Sequence, residues 1–440
     1  MQRPSLAFRV LVLSTYSWFA FAVAGCDSGD SGTATPGGGV GGSTGAAGTG
    51  GSLGGAAGTK ATGGSGGAAL GGNGGTSAAG TTGGSGGASG AVAMTGLHVV
   101  GNAIANGSGQ TVKIHGVNRS GTEYECVQST TTSRIFDGPS DDASVGVIAS
   151  WNVNAVRVPL NESCWLSLAG APAANSGANY KTAIKNYVTI LESHNMAAIV
   201  ELHWTGDGTT EATKQQPMPD LTNAPAFWTD VANTFQGDGA VIFELFNEPY
   251  PDSNKDSTAG WQCWQQGCTS TANGGGTYMS AGFQSLVTAV RATGASNLIL
   301  LGGVQYSNTL SEWSVYKPTD PMNNLAAAWH VYNYNGCTTP TCKCNGTGCT
   351  TPQALAATVP IVITEFGEDD CMGTFVNTFL PALDALDLGY LAWSWDAYGT
   401  CQASMSNGQG GQPWSLVGSY TSSTPNGGYA TAVYNHFLGL

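Results

Sequence analysis

The stretch that decides the fold is Val241-Ile242-Phe243-Glu244-Leu245-Phe246-Asn247-Glu248-Pro249-Tyr250. It is almost continuously apolar until Asn247, which is typical of a strand buried on both faces in a parallel sheet. Proline has no N–H to donate to a ladder, so the strand is expected to end at Pro249. The sequence therefore places Asn247 and Glu248 at the carboxyl end of a buried strand, where α/β barrels carry their functional side chains.

A second stretch, Pro360-Ile361-Val362-Ile363-Thr364-Glu365-Phe366-Gly367, has the same form, an apolar run that ends in a carboxylate and a glycine. Either glutamate alone is explained equally well as a strand-end charge that pairs with an Arg or Lys. Two glutamates at the ends of two buried strands, far apart in the chain, are what a glycosidase with two carboxylates requires. The pair therefore favours that chemistry.

Composition argues against some classes of partner. The chain has 440 residues, enough for one large or two ordinary domains, and only 10% of them are charged, with a formal net charge of −14. A chain that is acidic and poor in charge binds nucleic acid or an anionic membrane surface poorly. Neutral polymers such as polysaccharides remain compatible with this composition.

The N-terminus has the form of an export signal. Two arginines precede an apolar run from Val10 to Ala24, which is too short to span a bilayer comfortably. The run closes with Val23-Ala24-Gly25-Cys26, which resembles the lipobox of bacterial lipoproteins and implies cleavage before Cys26 and a lipid on its thiol. The alternative is a plain secretory signal with an incidental Cys26. Either way, residues 1–26 are predicted to be a signal peptide, and the mature protein is expected outside the cytoplasm, anchored at the cell surface or outer membrane, or secreted.

Residues 27–93 are predicted to form a disordered tether. They consist almost entirely of Gly, Ser, Thr and Ala, with almost no charge and no aromatic residue. Such a segment cannot bury enough apolar surface to offset the entropy lost on ordering. The composition changes near Met94, so residues 94–440 are predicted to be the folded domain.

The folded domain shows a repeated strand–helix pattern. Leu97–Val100 and Gln110–Ile114 flank the turn-like residues 106–109 and predict a hairpin. Strands are predicted at 111–117, 154–159, 197–203, 241–247, 297–302, 326–331, 360–366 and 389–394. Helices are predicted at 141–150, 179–194, 223–235, 278–294, 352–358, 372–387 and 427–438, with none in 303–325. Eight strands alternating with helices predict one (β/α)8 TIM barrel with an N-terminal hairpin and long loops at the catalytic face.

The cysteines predict disulfides that hold those loops. Without Cys26, ten of the 11 cysteines remain, an even number in an exported chain. Each predicted pair lies in one loop or in loops after neighbouring strands: Cys126–Cys164, Cys263–Cys268 and Cys371–Cys401, with the other four pairing within 337–349. A zinc site in 337–349 is the alternative, although its spacing matches no standard zinc pattern.

Seven strand ends carry motifs that together resemble glycoside hydrolase family 5, the cellulase and mannanase family of retaining α/β-barrel glycosidases. The motifs are His115-Gly116-Val117-Asn118, Arg157-Val158-Pro159, Glu201-Leu202-His203-Trp204, Leu245-Phe246-Asn247-Glu248-Pro249, Trp329-His330-Val331-Tyr332, Thr364-Glu365-Phe366-Gly367 and Ala392-Trp393-Ser394-Trp395. A lone Asn-Glu-Pro would be unspecific, but seven motifs in this order are specific. The resemblance covers residues 95–440.

The resemblance implies the roles of the site residues. Glu248 matches the general acid/base, which must be protonated near neutral pH, and Glu365 matches the nucleophile, which must be ionised. Arg157 and Tyr332 match residues that flank the nucleophile, and a guanidinium there would keep its pKa low. The predicted substrate-binding set is Arg157, His203, Asn247, His330, Tyr332 and Trp393, with Asn247 donating to the sugar 2-hydroxyl and Trp393 forming the floor under the sugar.

Some features leave alternatives open. Arg157 or a histidine, taken alone, is more often structural, and one of Trp393 and Trp395 is expected in the core. Outer sugar platforms are sought among Trp204, Trp228, Trp261, Trp264 and Trp313, each of which core packing explains equally well. After Asn118 many members of the family have an aromatic residue, whereas this chain has Arg119-Ser120-Gly121-Thr122-Glu123. Glu123 and Glu125 are expected near the non-reducing-side subsites. Arg119, Glu123 or the long loop is expected to narrow the cleft, which bears on the substrate and on endo versus exo action.

The sequence therefore predicts a retaining glycoside hydrolase that cleaves β-1,4-glucan in the interior of the chain. A β-mannanase and an exo-β-glucosidase are the alternatives within the family, and a non-catalytic glycan-binding lipoprotein is the alternative from another class. Both chemical steps use only acid/base and nucleophilic groups, so no metal or organic cofactor is implied. The expected partners are a polysaccharide or oligosaccharide and, through Cys26, a membrane; no nucleic acid partner is expected, and the protein is expected to be a monomer.

Overall fold

The computed structural model of the protein describes residues 92–128, 134–342, 350–402 and 413–440. The predictions for the signal peptide, Cys26, the tether up to residue 91, Cys344 and Cys349 lie outside the described residues. Within the described part of the chain, none of the helices is both long and apolar enough to cross a membrane.

Eight of the strands close into one parallel barrel. In chain order the strands are β1 His98–Val100, β2 Ala103–Ala105, β3 His115–Asn118, β4 Ala155–Asn161, β5 Ala197–Trp204, β6 Val241–Glu244, β7 Thr269–Thr271, β8 Thr277–Met279, β9 Ile299–Gly302, β10 Leu325–Tyr332, β11 Ile361–Gly367 and β12 Gly389–Ala392. The barrel runs β3-β4-β5-β6-β9-β10-β11-β12 and closes from β12 back to β3. All eight predicted strands are present, so the predicted TIM barrel is confirmed.

Helices surround the barrel. They are α1 Glu125–Gln128, α2 Asp142–Ala149, α3 Glu162–Leu166, α4 Ala178–Ser193, α5 Ala224–Phe235, α6 Pro251–Asn254, α7 Thr258–Gln266, α8 Phe283–Ala292, α9 Trp313–Tyr316, α10 Pro352–Ala356, α11 Val376–Asp384 and α12 Gly427–Leu438. The seven predicted helices all appear, several of them shorter than expected. The prediction of no helix in 303–325 is wrong, because the one-turn helix α9 lies there. A single turn is too short to show a helical period in the sequence.

Burial on both faces explains why the barrel strands are nearly continuous apolar runs. Every residue of β4, β5, β10 and β11 is buried. Side chains such as Val158 and Phe243 face the helices, whereas Ile199, Ile242 and Leu300 fill the interior of the barrel. The strand interior is therefore a packed core, which leaves the carboxyl ends of the strands for the polar site.

The N-terminal hairpin closes the opposite end of the barrel, but its arms are not the predicted ones. β1 pairs with β2 across Gly101, whose φ of 64° suits a tight turn. The predicted second arm, 110–114, forms no strand and makes only the isolated bridge between Ala105 and Thr111. The turn at 106–109 exists, and Asn106 holds it by accepting from the backbone N–H of Ser108 and Gln110.

Disulfides join the loops as predicted. The bridges Cys126–Cys164, Cys263–Cys268 and Cys371–Cys401 are present, with Cα–Cα distances of 6.3, 5.0 and 6.1 Å. Cys337 pairs with Cys342. These bridges confirm the three named pairs and occupy two of the cysteines that the zinc alternative would have used.

The folded chain starts no later than Val92. The carbonyl groups of Val92 and Ala93 accept from the side chains of Asn195 and Asn106, and Met94 is only 2% exposed. The folded domain therefore includes at least Val92 and Ala93, which the prediction had assigned to the tether.

We expect deletion of residues 27–91 to leave the melting temperature unchanged, because their composition supplies no apolar surface for the core. Deletion through Met94 should lower the melting temperature by several degrees, since a buried methionine side chain contributes about 2 kcal/mol. Thermal unfolding of the two truncated proteins beside the full chain measures this. A lower melting temperature on deletion of 27–91 alone would contradict the predicted tether.

Candidate active site

The carboxyl ends of the barrel strands bring all eight predicted site residues into one hydrogen-bonded and stacked group. Five of them lie on strands, four of which are Arg157 on β4, His203 on β5, and His330 and Tyr332 on β10. Glu365 lies on β11, Trp393 follows β12, and Asn247 and Glu248 follow β6. One expectation needs correction, because β6 stops at Glu244 and the Asn–Glu pair lies on irregular backbone beyond it.

Glu365 is held by two donors. Arg157 Nη1 donates to Glu365 Oε1 over 2.6 Å, and the Tyr332 hydroxyl donates to Oε2 over 2.7 Å. Burial disfavours the charged carboxylate, but the positive charges of His330, Arg157 and His203 outweigh burial and lower the pKa of Glu365. Glu365 is therefore ionised and buried, as a nucleophile must be.

Arg157 is fully buried and organises the middle of the site. Its Nε donates to Glu244 over 2.5 Å, and its two other nitrogens reach Asn118 and Asn247 over 2.9 and 2.8 Å. The guanidinium thus fixes Glu365 and Asn247 at the same time, with a planar fork that lysine could not supply.

Glu244 is a site residue that the sequence interpretation did not single out. It lies on β6, fully buried, and accepts from Arg157 and, over 2.7 Å, from the Thr364 hydroxyl. The sequence did indicate that Glu244 is unusual, because it is the one charged residue in the apolar run Val241–Phe246. A buried carboxylate in such a run needs a buried partner, and the nearest strand-end arginine in sequence is Arg157.

Glu248 is in a different electrostatic state from Glu365. Its side chain is 16% exposed, and its Oε1 lies 3.0 Å from His330 Nδ1. Burial is the main cause that raises the pKa of Glu248, and the negative charge of Glu365 raises it further. One carboxylate oxygen of each glutamate lies within 4.8 Å of the other. The two acids are therefore close together with pKa values shifted in opposite directions.

His330 lies between the two acids. Its Nδ1 is 3.5 Å from Glu365 Oε2, and its Nε2 is 3.1 Å from the Thr364 hydroxyl. Because that hydroxyl donates to Glu244, its oxygen accepts from His330, which places a hydrogen on Nε2. Burial opposes a charge on the imidazole, but Glu365, Glu244 and Glu248 together raise the pKa of His330 to about 9.

His203 and Trp393 form one wall of the site. The two rings stack, with centroids 5.6 Å apart and an interplanar angle of 15°. His203 Nδ1 hydrogen-bonds to buried Glu201, and its Nε2 lies 3.3 Å from the Asn247 amide. Burial disfavours a charge on His203, but Glu201 outweighs it and raises the pKa of the imidazole.

The tryptophan predictions divide clearly. Trp393 is half-buried beside the site, whereas Trp395 is 1% exposed and packs on Trp151. Four of the tryptophans expected as outer sugar platforms are fully buried in the core, so that expectation is wrong for them: Trp228, Trp261, Trp264 and Trp313. Burial of these indoles leaves their N–H groups satisfied in at least three cases, since those of Trp228, Trp264 and Trp313 donate to backbone carbonyls.

Three tyrosines on loops beside the site are at least partly exposed, unlike those four tryptophans. Tyr250 and Tyr306 stack with centroids 4.5 Å apart, and burial, with a further contribution from the negative charge of Glu248, raises the pKa of both. Tyr334 stacks on Tyr332 at 5.4 Å and is 53% exposed. The sequence interpretation missed them because tyrosines on long loops carry no periodic signal.

The three charged residues after β3 do not form one group at the cleft. Arg119 is 1% exposed, pairs with Asp137 and stacks on the ring of Tyr420, so it is structural. Glu123 is also buried, accepts from the N–H of Gly121 over 2.7 Å, and burial raises its pKa to about 7. Glu125 lies 3.7 Å from Arg134. Arg119 therefore does not narrow the cleft.

The backbone around Glu248 is supported from the loop after β9. The Ser307 hydroxyl donates to the Asn247 carbonyl over 2.8 Å, and the Tyr306 N–H donates to the Pro249 carbonyl over 3.0 Å. Residues 305–307 all adopt left-handed conformations, with φ of 57° to 58°. Left-handed backbone conformations cost free energy for residues other than glycine, and they cluster at active sites and ligand-binding sites. A Cβ at Gly302 would lie 2.2 Å from the Ser307 hydroxyl, so glycine is required there.

Within the described residues, one group of three side chains is close enough to share a metal ion: Glu248, His330 and Glu365. Both oxygens of Glu365 already accept from protein donors, and His330 Nε2 carries a hydrogen that it donates to Thr364. These three atoms are therefore already engaged in hydrogen bonds with other protein groups.

Comparison with known proteins agrees with this geometry. The family described as Cellulase (glycosyl hydrolase family 5) matches residues 106–399, more than half of the chain. The chain belongs to glycosyl hydrolase family 5. This family 5 chain is 22% identical to a mannan endo-1,4-beta-mannosidase from Salipaludibacillus agaradhaerens over 69% of its own length and 83% of that protein. It is 20% identical to an endoglucanase from Microbulbifer sp. (strain ALW1), over 68% of its own length and 50% of that protein.

Among solved structures, the family 5 chain is similar to the β-glucanase of Saccharophagus degradans in complex with cellotetraose. The TM-score is 0.53 at 19% identity, over 78% of this chain and 93% of that one. At this identity the likeness concerns the fold, which is the barrel described above.

Proposed function

We propose that this family 5 glycosyl hydrolase cleaves β-1,4-glucan in the interior of the chain by double displacement, with retention of configuration. The observation that carries the proposal is the pair Glu248 and Glu365, whose oxygens approach within 4.8 Å while their pKa values are shifted apart. A retaining pair needs its carboxyl groups about 5–5.5 Å apart, whereas an inverting pair needs about 6.5–9.5 Å to admit a water. A non-catalytic glycan-binding protein would have no need for this electrostatic difference.

In the first step the Glu365 carboxylate attacks the anomeric carbon and forms a glycosyl ester. The glycosidic C–O bond breaks, and Glu248 gives its proton to the leaving oxygen. The Asn247 amide is placed to donate to the 2-hydroxyl of the reacting sugar, a contact that strengthens in the transition state. Trp393 offers its half-buried ring as the floor under that sugar.

In the second step Glu248, now ionised, takes a proton from water, and that water attacks the anomeric carbon. The ester bond to Glu365 breaks, and its carboxylate is restored. Arg157 and the Tyr332 hydroxyl stabilise Glu365 as a leaving group through the same hydrogen bonds that stabilise it as a nucleophile.

Hydrolysis of β-mannan is the second candidate, because one of the similar proteins is a mannan endo-1,4-beta-mannosidase. A panel of cellulose, mixed-linkage β-glucan, β-mannan, xylan and aryl glycosides, with product sizes followed over time, separates the candidates. We expect an early fall in viscosity and mixed oligosaccharides from β-1,4-glucan. Faster hydrolysis of mannan would favour the second candidate, release of only short sugars from chain ends would contradict internal cleavage, and an inactive protein would contradict the proposal.

The opposite pKa shifts predict a bell-shaped dependence of kcat/KM on pH. The pKa of Glu365 is lowered from its ordinary value of 4.5, so activity should fall only below that value, as the nucleophile becomes protonated. The pKa of Glu248 is raised from 4.5, so the alkaline limb should lie above that value, where the acid loses its proton. Initial rates on an aryl β-glycoside across pH measure both limbs. With a leaving group that needs no protonation, the alkaline limb should weaken; an unchanged limb would contradict the role of Glu248.

We further propose that the protein is exported and anchored by a lipid on Cys26. The four bridges seen in the described residues are consistent with an oxidising compartment. Membrane fractionation of the full chain and of Cys26→Ser tests the anchor. Wild type in the membrane fraction and the variant in the soluble fraction are expected, and equal distribution would contradict lipidation.

A further inference from the structure

The catalytic acid proposed above is not carried by a strand. β6 ends at Glu244, and beyond Asn247 no barrel strand pairs with the backbone. The Asn247 N–H still donates to the carbonyl of Leu202 over 3.1 Å, but the carbonyl of Glu248 has no strand neighbour to accept from. The position of the acid therefore depends on groups supplied by loops.

One side chain holds both members of the Asn–Glu pair. Gln215, on the loop between β5 and α5, accepts from the Asn247 amide through its Oε1 over 2.7 Å. Its Nε2 donates to the carbonyl of Glu248 over 2.6 Å. A carboxamide is the side-chain group that presents one acceptor and one donor side by side, so the two contacts specify glutamine or asparagine chemistry at this position.

The contact also sets the orientation of the Asn247 amide. Asn247 Oδ1 accepts from Arg157, so its nitrogen must face away from the guanidinium. Gln215 takes one hydrogen of that nitrogen. The amide nitrogen of Asn247 lies 3.3 Å from His203 Nε2, and the ring of His203 stacks on Trp393, so the second hydrogen is on the side where the sugar is proposed to lie.

Gln215 is in turn held by a small hairpin from another loop. Asn273, at the turn between β7 and β8, donates through its amide to the carbonyl of Gln215 over 2.8 Å and to the Tyr250 hydroxyl. Its own N–H donates to Gln216 Oε1 over 2.8 Å. The hairpin therefore fixes both the loop that carries Gln215 and the residue two positions after the acid.

We propose that Gln215, anchored by Asn273, is a positioning residue that orients the Asn247 amide toward the sugar 2-hydroxyl and the Glu248 carboxyl toward the leaving oxygen. This inference rests on the proposed function, since it assigns a task within that reaction. Gln215 does not react; it acts through the two residues that it contacts. Misplacement of reacting groups by about 1 Å costs on the order of 100-fold in rate, so its removal should be visible in kinetics.

The test compares Gln215→Ala with wild type and with Gln262→Ala, an exposed glutamine on α7 as the matched control. Substrates are two aryl β-glycosides, one with a poor leaving group that needs protonation and one with an activated group that does not. We expect kcat/KM of Gln215→Ala to fall about 100-fold on the poor leaving group and about 10-fold on the activated one, because only the first needs Glu248 as an acid. Gln262→Ala should match wild type on both.

The double variant Gln215→Ala/Asn247→Ala separates positioning from a general structural role. On the activated substrate it should be no slower than Asn247→Ala alone, because Gln215 then has no amide to orient. Losses that multiply would overturn the proposal, as would a Gln215→Ala protein within twofold of wild type on both substrates.

Gln215→Glu preserves the size of the side chain and the acceptor for Asn247, and guards against a variant that fails to fold. It removes the donor to the Glu248 carbonyl and adds a negative charge, which should move the alkaline limb of kcat/KM to higher pH. An alkaline limb that stays in place or moves to lower pH would overturn the contact with Glu248. A wild type that is inactive on every β-glycoside would contradict the proposed function itself, whereas an active wild type with unaffected Gln215 variants contradicts only the positioning role.

Discussion

Glu365→Ala should abolish turnover of every substrate, with a loss on the order of 10⁵-fold or more. No covalent intermediate can form without the carboxylate, and within the described residues we expect no other carboxylate to replace it. Glu244 and Glu201 are buried beneath the site and are held by Arg157 and His203. Alanine also leaves the buried Arg157 without one of its acceptors. Steady-state rates on polysaccharide and on activated aryl glycosides measure the effect, since neither class of leaving group bypasses the nucleophile.

Asp370→Ala is the matched control, because Asp370 is an exposed carboxylate on the loop that follows β11. It should keep wild-type rates. Glu365→Gln preserves the shape of the side chain and should be as inactive as alanine, which separates loss of the charge from loss of folding. Residual hydrolysis above about one hundredth of the wild-type rate in either variant would show that another group is the nucleophile.

Glu248→Ala should lose about 10²–10⁴-fold on substrates with poor leaving groups. On an activated aryl glycoside the first step needs no acid, so the glycosyl ester should form and accumulate. Azide attacks that ester without a general base, so added azide should restore turnover and yield a glycosyl azide with the anomeric configuration of the substrate. Product analysis by NMR gives the configuration.

Asp142→Ala, at a carboxylate whose side chain is 79% exposed on α2, serves as the control for this variant and should not respond to azide. An azide product of inverted configuration would contradict double displacement. Failure of azide to accelerate Glu248→Ala on the activated substrate would contradict the assignment of Glu248 as acid and base, while leaving Glu365 untouched.

The sequence predicts most of this site because its residues are tied to strand ends. Where an apolar run stops at a polar residue, as at Glu365, barrel geometry alone places the side chain at the carboxyl face. Arg157 and His203 follow in the same way. Position along a strand is a local property, so it can be obtained from a single sequence.

The parts that escaped prediction depend on contacts between loops. Gln215 lies in a stretch without periodicity, and its partner Asn273 lies on a hairpin between α7 and α8 that was not predicted. The burial of the tryptophans was unpredictable for the same reason. Trp228 and Trp264 are core residues, and their burial depends on the packing of helices from distant parts of the chain. Glu244 was accessible to prediction, since a lone charge within an apolar run requires a buried partner.

The end of the barrel that the β1–β2 hairpin closes is also the end at which the described chain begins. Val92 enters the fold beside Asn195, between the end of α4 and the start of β5, on the side opposite the acids. Whatever precedes Val92 therefore joins the rear of the enzyme. A lipid on Cys26, as proposed, would therefore be joined through the chain to the face of the barrel opposite Glu248 and Glu365.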